Sequence, residues 1–266
     1  MMTTLRIFVP LLGWLLTACG GNAISRSAAA DASAEPKEYT YRVVAAWPHD
    51  SEAYTQGLQY ADGLLWESTG EYGRSELRTT DLQTGAVRTL ERLPRSEFGE
   101  GLALLDSLVY QLTWESNTCH VYDRATGRRL RDFRYAGEGW GLTTDGSSLY
   151  LSNGTPNIYT IDPQTFRRTA SRTVTFRGEA VPLINELEWI EGRIWANVYT
   201  TDSILIIDPA TGVAEARIDL TGLLPESERT PATDVLNGIA YDAATRRIFV
   251  TGKRWPKIYQ IELIER

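Results

Sequence analysis

The sequence has few of the residues that build metal centres and disulfides. Its 266 residues include two cysteines, Cys19 and Cys119, and two histidines, His49 and His120. The histidines have no His, Cys, Asp or Glu neighbours at ligand spacing, so we expect no His-rich transition-metal site and assign no metal-binding residue. Cys119 and His120 are neighbours on a predicted strand and face opposite sides of it, which excludes a Cys–His dyad. We expect Cys119 to be a small buried hydrophobic residue.

Other functional patterns are also missing. The sequence contains neither a G-x-S-x-G nucleophile elbow nor a G-x-G-x-x-G nucleotide-binding fingerprint. The net charge is −7, or −8 without Arg6 of the N-terminal signal, and the Lys and Arg residues form no cluster of the kind that follows a phosphate backbone. Nucleic acid is therefore not an expected partner.

The N-terminus is typical of a bacterial export signal. Arg6 precedes an apolar run from Ile7 to Leu16, and about ten apolar residues are too few to span a bilayer. Because Leu16-Thr17-Ala18-Cys19 resembles a lipobox, we predict a lipoprotein signal peptide at residues 1–18 and lipidation of Cys19. The alternative is an ordinary secretory signal with an incidental cysteine. Residues 19–38, rich in Ala and Ser, are predicted to be a flexible tether. We expect a monomer without an intramolecular disulfide, lipid-anchored on the periplasmic side of the cell envelope.

The chain does contain a repeat, with a period of about 40 to 50 residues. A small or acidic residue, usually Gly, follows a polar or aromatic residue and precedes Leu or Ile. An aromatic residue comes nine residues later (eleven in the last copy), and an Asp-x-x-Thr turn follows in four copies. The motifs are Gln56-Gly57-Leu58, Glu100-Gly101-Leu102, Trp140-Gly141-Leu142, Asn185-Glu186-Leu187 and Asn237-Gly238-Ile239. The turns begin at Asp81, Asp123, Asp162 and Asp208.

This period, with short alternating strands inside it, predicts an all-β fold: a five-bladed β-propeller at residues 39–266. The last copy holds only three predicted strands before the chain ends. We expect Tyr39 to Ala46 to supply the fourth, so that an N-terminal strand closes the ring and leaves no open edge. The long insertion from Thr221 to Thr233 is expected to form a short helix or loop over one mouth of the ring.

The repeat also predicts a site, because equivalent positions on the inner strands of a propeller converge around its axis. The residues before the central positions are Gln56, Glu100, Trp140, Asn185 and Asn237. A second ring, at the ends of the second strands, holds Gly70, Trp114, Gly154, Tyr199 and Lys253. A carboxylate, carboxamides and an indole at equivalent positions favour a binding site at one mouth. The alternative is that these side chains are hydrogen-bonded plugs of a wet channel.

Eight segments are more specific than the general repeat. They are Thr55-Gln56-Gly57-Leu58, Glu67-Ser68-Thr69-Gly70-x-Tyr72-Gly73-x-Ser75, Phe98-Gly99-Glu100-Gly101, Glu138-Gly139-Trp140-Gly141-Leu142, Asn185-Glu186-Leu187-Glu188, Ala196-Asn197-Val198, Val235-Leu236-Asn237-Gly238-Ile239 and Val250-Thr251-Gly252-Lys253-x-Trp255-Pro256-Lys257. Together they resemble the plant and bacterial type of glutaminyl-peptide cyclotransferase, from about Tyr41 to Ile261. The resemblance implies a five-bladed propeller that converts N-terminal glutamine into pyroglutamate with release of ammonia. Tyr199 departs from the family pattern, since many relatives have Trp there.

The implied reaction needs no enzyme nucleophile, because the substrate's α-amine attacks its own γ-carboxamide carbon. The enzyme must hold the productive conformer, move a proton and stabilise the tetrahedral oxyanion. By resemblance Glu100 is the acid/base, Lys253 orients Glu100 or bonds the oxyanion, and Asn185 completes the catalytic set. The implied substrate-binding residues are Gln56, Trp114, Trp140, Asn237 and Glu67, with the two tryptophans limiting hydration. Glu186 should point away from the face that Asn185 presents, because side chains alternate along a strand.

The resemblance implies no cofactor, and a structural calcium ion in the channel is left open. The expected partners are peptides or proteins with N-terminal Gln, and a membrane through the lipid on Cys19. The alternative function is a non-catalytic envelope lipoprotein propeller that serves as an interaction scaffold. A scaffold has no use for a glutamate, two asparagines and a lysine that converge on a tryptophan-lined mouth, so we favour the cyclotransferase.

Overall fold

The computed structural model describes residues 35–266, and these form an all-β fold. The predicted signal peptide, Cys19 and most of the predicted tether lie outside the described residues. Within them the one helical segment is a 3-10 turn at Glu226–Glu228, in the insertion where we expected a helix or loop. No helix in this range reaches the length and apolarity that a membrane crossing requires. Short runs of β-branched and aromatic residues between Asp- and Gly-containing turns account for the strands.

Three of the sheets are four-stranded antiparallel meanders in chain order. The first holds β2 (Thr55–Ala61), β3 (Leu64–Thr69), β4 (Glu76–Asp81) and β5 (Val87–Arg92). The second holds β6 (Gly99–Leu105), β7 (Leu108–Thr113), β8 (Thr118–Asp123) and β9 (Arg129–Arg134). The third holds β10 (Leu142–Thr144), β11 (Leu149–Leu151), β12 (Asn157–Ile161) and β13 (Arg168–Thr173). A ribbon of β14 (Thr175–Phe176) and β15 (Glu179–Ala180) follows.

The remaining strands form one eight-stranded sheet in the order β16-β17-β18-β19-β1-β22-β21-β20. It contains β1 (Lys37–Pro48), β16 (Ile184–Ile190), β17 (Arg193–Val198), β18 (Ser203–Ile207), β19 (Ala214–Asp219), β20 (Leu236–Asp242), β21 (Arg247–Gly252) and β22 (Lys257–Glu265). Two meanders, β16 to β19 and β20 to β22, therefore meet at β1.

The N-terminal strand β1 joins the two ends of the chain. It pairs antiparallel with β22 along Tyr39–Pro48, as expected for the missing fourth strand. It also pairs in parallel with β19 along Lys37–Tyr39, which the repeat did not predict. Lys37 and Glu38 belong to β1 although we assigned them to the tether. The Glu38 carboxylate accepts hydrogen bonds from Arg177 and Arg217, both at 3.0 Å, and these contacts hold the start of the strand in place.

The strands that carry or directly follow the repeated motif form a closed ring of contacts, β2–β6–β10–β16–β20 and back to β2. In β2, β6, β16 and β20 the pairing register shifts at the motif, so each motif there is a β-bulge. Bulges often re-aim side chains next to functional sites. Glycine is needed here because the backbones touch. A Cβ on Gly57 would lie 2.5 Å from Leu102 N, and one on Gly141 would lie 2.0 Å from Asn185 O.

The Asp-x-x-Thr turns form as predicted, with each Asp carboxylate accepting bonds from the turn backbone or its Thr hydroxyl. A further copy joins Asp242 and Thr245 in the last meander. The core lies between neighbouring sheets: one cluster joins Ala103 and Leu112 of the second sheet to Leu142 and Ile161 of the third. Cys119 belongs to this cluster, fully buried and not in a disulfide.

Candidate active site

A cavity of about 300 Å³ opens where the motif bulges meet the ends of the second strands. Two larger surface clefts are lined mainly by polar and charged residues, whereas this cavity combines buried polar groups with aromatic walls. Its polar residues are Gln56, Glu100, Asn185 and Lys253, and its aromatic residues are Tyr54, Phe98, Trp114, Trp140 and Tyr199. A few convergent polar groups in an apolar pocket are what a small-molecule site requires. Six of the eight predicted catalytic and binding residues meet here.

Glu100 lies at the end of a chain of hydrogen bonds. Asn237 Nδ2 donates to Thr55 O at 3.0 Å and to Gln56 Oε1 at 3.3 Å. Gln56 Nε2 in turn donates to Glu100 Oε1 at 3.0 Å. Glu100 Oε2 is buried and has no hydrogen-bond partner among residues 35–266. Because Oε1 is occupied as an acceptor, Oε2 is the oxygen that can carry a proton for a substrate.

Burial in the cavity shifts the pKa values of Glu100 and Lys253 in opposite directions. Burial raises the pKa of Glu100 well above its usual range, and the negative charge of Glu138 adds to this while Lys253 opposes it. Burial also lowers the pKa of Lys253, against the opposing effect of Glu100 and Asp234. A carboxyl group whose pKa is raised toward the working pH can both accept and donate a proton.

The aromatic walls contact one another in sequence around the cavity. The ring centroids of Tyr54 and Phe98 are 6.0 Å apart, and those of Phe98 and Trp114 are 5.8 Å apart. On the other side, Trp140 and Tyr199 are 5.7 Å apart, and all three pairs meet edge to face. Such packing is favourable for aromatic rings and leaves little room for water between them.

Two charged groups close the gaps in this aromatic wall. Lys253 Nζ lies 4.7 Å from the ring centroid of Tyr54 and 4.9 Å from that of Tyr199. Glu138 Oε2 accepts hydrogen bonds from Nε1 of both Trp114 and Trp140, each at 2.8 Å. The wall is therefore continuous, with a cation–π contact at one joint and a shared carboxylate at the other.

Comparisons of sequence and structure with known proteins identify the family. The glutamine cyclotransferase family model matches residues 15–263. The chain belongs to the glutamine cyclotransferase family. A curated relative, the glutaminyl-peptide cyclotransferase of Arabidopsis thaliana, is 46% identical over 227 residues, covering 83% of this chain and 70% of the relative.

Solved structures agree with the family assignment. The crystal structure of Myxococcus xanthus glutaminyl cyclase superimposes with a TM-score of 0.79 at 34% identity, covering 87% of this chain and all of that one. A chain from a nidogen/laminin complex superimposes with a TM-score of 0.51 at 17% identity, covering 76% of this chain and 73% of that one. The second likeness shows the fold alone. The first places this chain among the glutamine cyclotransferases in three dimensions as well as in sequence.

Two of the predicted substrate-binding residues do not line the cavity. Asn237 is fully buried and is linked to the cavity lining by its hydrogen bond to Gln56. Glu67 is buried as well, where it accepts bonds from Thr55 at 2.7 Å and Arg78 at 2.9 Å and lies 3.1 Å from His49 Nε2. Both predictions of direct contact need correction, because the bulge turns Asn237 inward and the β3 register directs Glu67 into an ionic network.

Asn185 and Glu186 point to different regions, as alternation along a strand predicts. Asn185 lines the cavity, and its buried Oδ1 has no hydrogen-bond partner in the described part of the chain. Glu186 does not line the cavity; its carboxylate accepts bonds from the backbone N–H of Leu58 at 3.3 Å and of Ile239 at 2.9 Å. Glu186 therefore joins three motif strands, β2, β16 and β20, at their bulges.

Other cavity residues were missing from our predicted site. Tyr54 and Phe98 lie two residues before Gln56 and Glu100, and the period of two along a strand could have located them. Tyr199 was aligned with the second ring but given no role. Two glycines of that ring face aromatic rings: a Cβ on Gly70 would lie 2.3 Å from the ring of Phe98, and one on Gly154 would meet Trp140. Among residues 35–266 no group of three or more His, Cys, Asp or Glu side chains has the arrangement of a metal site.

Proposed function

We propose that this protein is a glutaminyl-peptide cyclotransferase, which converts the N-terminal glutamine of peptides or proteins into pyroglutamate and releases ammonia. The observation that carries the proposal is Glu100, a buried carboxyl group with one anchored oxygen and one free oxygen inside an aromatic cavity. Family membership and the names of the Arabidopsis and Myxococcus proteins support the same activity.

In the proposed mechanism the substrate's α-amine attacks its γ-carboxamide carbon and a five-membered ring forms. Glu100 takes the proton that the attacking nitrogen loses and delivers it to the carboxamide nitrogen. The carbon–nitrogen bond then breaks and ammonia leaves, so atoms and charge balance without an enzyme nucleophile. The aromatic wall holds the bent conformer that ring closure needs.

Two further polar groups serve the tetrahedral intermediate in this proposal. Lys253 Nζ forms no hydrogen bond to another described residue's side chain, which leaves its donors for the developing oxyanion. Asn185 Oδ1 also lacks a partner and can accept a bond from the substrate's amine. Gln56 holds Glu100 in place, and its own position depends on Asn237.

The test is direct. The purified protein is incubated with a Gln-initiated dipeptide, ammonia is measured, and the lactam is identified by mass spectrometry. The same dipeptide with an acetylated α-amine is the control, because it cannot cyclise. Ammonia from the free dipeptide alone supports the proposal. No ammonia from either would favour the scaffold function instead.

We also propose that the chemistry needs no metal ion. Carboxyl, ammonium and carboxamide groups supply the proton transfer and the oxyanion contacts described above. We expect activity to survive exhaustive treatment with a chelator that removes zinc. Loss of activity that zinc alone restores would contradict this, and restoration by calcium would indicate a structural ion.

The architecture that we propose for the catalytic domain is a five-bladed β-propeller. The eight-stranded sheet then counts as two blades that share the closing strand β1, beside the three four-stranded sheets. We further propose that the domain is a monomer anchored to the cell envelope by lipid on Cys19. Replacement of Cys19 by Ala should release the protein from membranes, and sedimentation of the soluble form should give its mass as one chain.

A further inference from the structure

The cavity wall depends on a residue that does not itself line the cavity. Glu138 stands behind Trp114 and Trp140, and one of its carboxylate oxygens accepts both indole N–H bonds at 2.8 Å. The two tryptophans come from different sheets: Trp114 follows β7 of the second sheet, and Trp140 precedes β10 of the third. Glu138 therefore fixes two walls of the cavity relative to each other.

Nothing else among the described contacts joins the two indoles directly. Every other neighbouring pair in the wall has either an edge-to-face contact or the Lys253 ammonium between its rings. Without Glu138 the wall would be open at this joint, and two indole donors would lose a charged acceptor. Hydrogen bonds to a carboxylate are roughly twice as strong as bonds between neutral groups.

We propose that Glu138 is a positioning residue of the active site, which locks Trp114 to Trp140 and places a negative charge behind Glu100. This inference rests on the proposed function for its kinetic consequences, but the positioning of the indoles stands independently of it. Glu138 touches neither the cavity nor the reacting atoms, so it acts through the tryptophans and through the electric field at Glu100.

The charge of Glu138 should change the pKa of Glu100 in a known direction. The charge of Glu138 contributes to the raised pKa of Glu100, so its removal should lower that pKa. The other titratable or charged groups near Glu100 are Lys253, Tyr54, Tyr199 and Tyr135. These groups remain in a Glu138 variant, so a change in the acid limb of the pH profile would report the lost charge.

Two variants of Glu138 distinguish the effect of its hydrogen bonds from the effect of its negative charge. Glu138→Gln keeps a carboxamide oxygen that can accept both indole bonds but removes the charge. Glu138→Leu removes both. Glu115→Gln, which neutralises an exposed carboxylate next to Trp114 in sequence, is the matched control. The indole N–H signals of ¹⁵N-tryptophan-labelled protein are recorded by NMR, with Trp114→Phe and Trp140→Phe used for assignment.

We expect Glu138→Leu to shift both indole signals and to lower kcat/KM by about 10²-fold, as a small displacement of positioning groups does. Glu138→Gln should keep both signals near their original positions and move the acid limb of kcat/KM to lower pH. Glu115→Gln should change neither. Unshifted signals in Glu138→Leu, or an unmoved acid limb in Glu138→Gln, would overturn the corresponding part of the proposal.

These measurements distinguish failure of the positioning role of Glu138 from failure of the proposed function. If the unmodified protein cyclises no Gln-initiated peptide, the proposed function fails. The indole signals still test the positioning role, and a ¹³C titration of the Glu100 carboxyl still tests the charge effect without any substrate. A lower Glu100 pKa in Glu138→Gln supports the proposal, and an unchanged one contradicts it.

Discussion

Gln56 donates a hydrogen bond of 3.0 Å to one oxygen of Glu100 and leaves the other oxygen free. This single contact defines which oxygen is available for proton transfer. It also explains why a carboxamide and a carboxyl group occupy equivalent positions in successive repeats: one orients the other across neighbouring bulges.

Glu67 should be required for stability rather than for the reaction. It is buried with Arg78, and loss of one partner of a buried ion pair costs about 3–5 kcal/mol. We expect Glu67→Gln to lose about 3 kcal/mol of unfolding free energy, since Arg78 keeps Asp50 as a partner at 2.8 Å. Glu52→Gln, which removes an exposed ion pair with Arg74, should cost under about 1 kcal/mol. Equal losses in urea unfolding of the two variants would contradict this assignment.

Glu67 should also make the free energy of unfolding depend on pH. Burial opposes ionisation of Glu67, but the charges of Arg78 and His49 outweigh it and hold the pKa of Glu67 below its usual range. A carboxyl group with a lowered pKa stabilises the fold above its unfolded-state pKa, and this contribution is lost as the pH falls through the folded-state value. The stability difference between the unmodified protein and Glu67→Gln should therefore be full at neutral pH and shrink in acid. A difference that grows below pH about 4 would contradict the sign.

Glu186 should be structural although it is a buried acid within a motif. Its two oxygens accept backbone bonds from Leu58 and Ile239. Glu186→Gln turns one acceptor into a donor that faces a backbone N–H, and an unsatisfied buried donor costs about 1–3 kcal/mol. We expect that loss in thermal or urea unfolding, with kcat of the folded protein retained. Glu226→Gln, at an exposed acid, is the control; equal stability of both variants would show that the bonds contribute nothing.

Closure by β1 should be essential for cooperative folding. Deletion of residues 39–47 removes nearly all of the β1 residues that pair with β22 and would expose the edge of β22, which promotes aggregation. We expect aggregation or loss of the cooperative unfolding transition. Deletion of residues 20–34, inside the predicted tether, should leave the transition unchanged. A soluble 39–47 deletion with unchanged stability would mean that closure is assigned wrongly.

Much of the fold could be predicted from spacing. Strand positions follow from the motif, the aromatic residue and the Asp-x-x-Thr turn, because each is a local signal with a fixed distance to the next. The parallel pairing of Lys37–Tyr39 with β19 could not be predicted, because it joins polar strand edges far apart in the chain. Sequence patterns specify hydrophobic faces better than they specify which edges meet.

Part of the site could also be predicted, because the repeat assigns equivalent positions to different strands. Equivalence of repeat positions predicted that Glu100, Trp140 and Asn185 would converge, and they line one cavity. Equivalence could not show that Asn237 turns behind Gln56, because the bulges differ in how they direct each side chain. Nor could it show the double bond of Glu138 to Trp114 and Trp140, which depends on the distance between two sheets.

The most direct test of the account is the steady-state rate of ammonia release from a Gln-initiated peptide by Glu100→Gln. This variant keeps the shape and a hydrogen-bonding group but removes proton transfer, which contributes about 10²–10⁴-fold in enzymes. We predict a fall in kcat of that order with KM changed much less, and cooperative unfolding like that of the unmodified protein. Near-normal kcat in Glu100→Gln, together with loss of activity in Glu67→Gln or Glu186→Gln, would contradict the assignment of Glu100 as the acid/base.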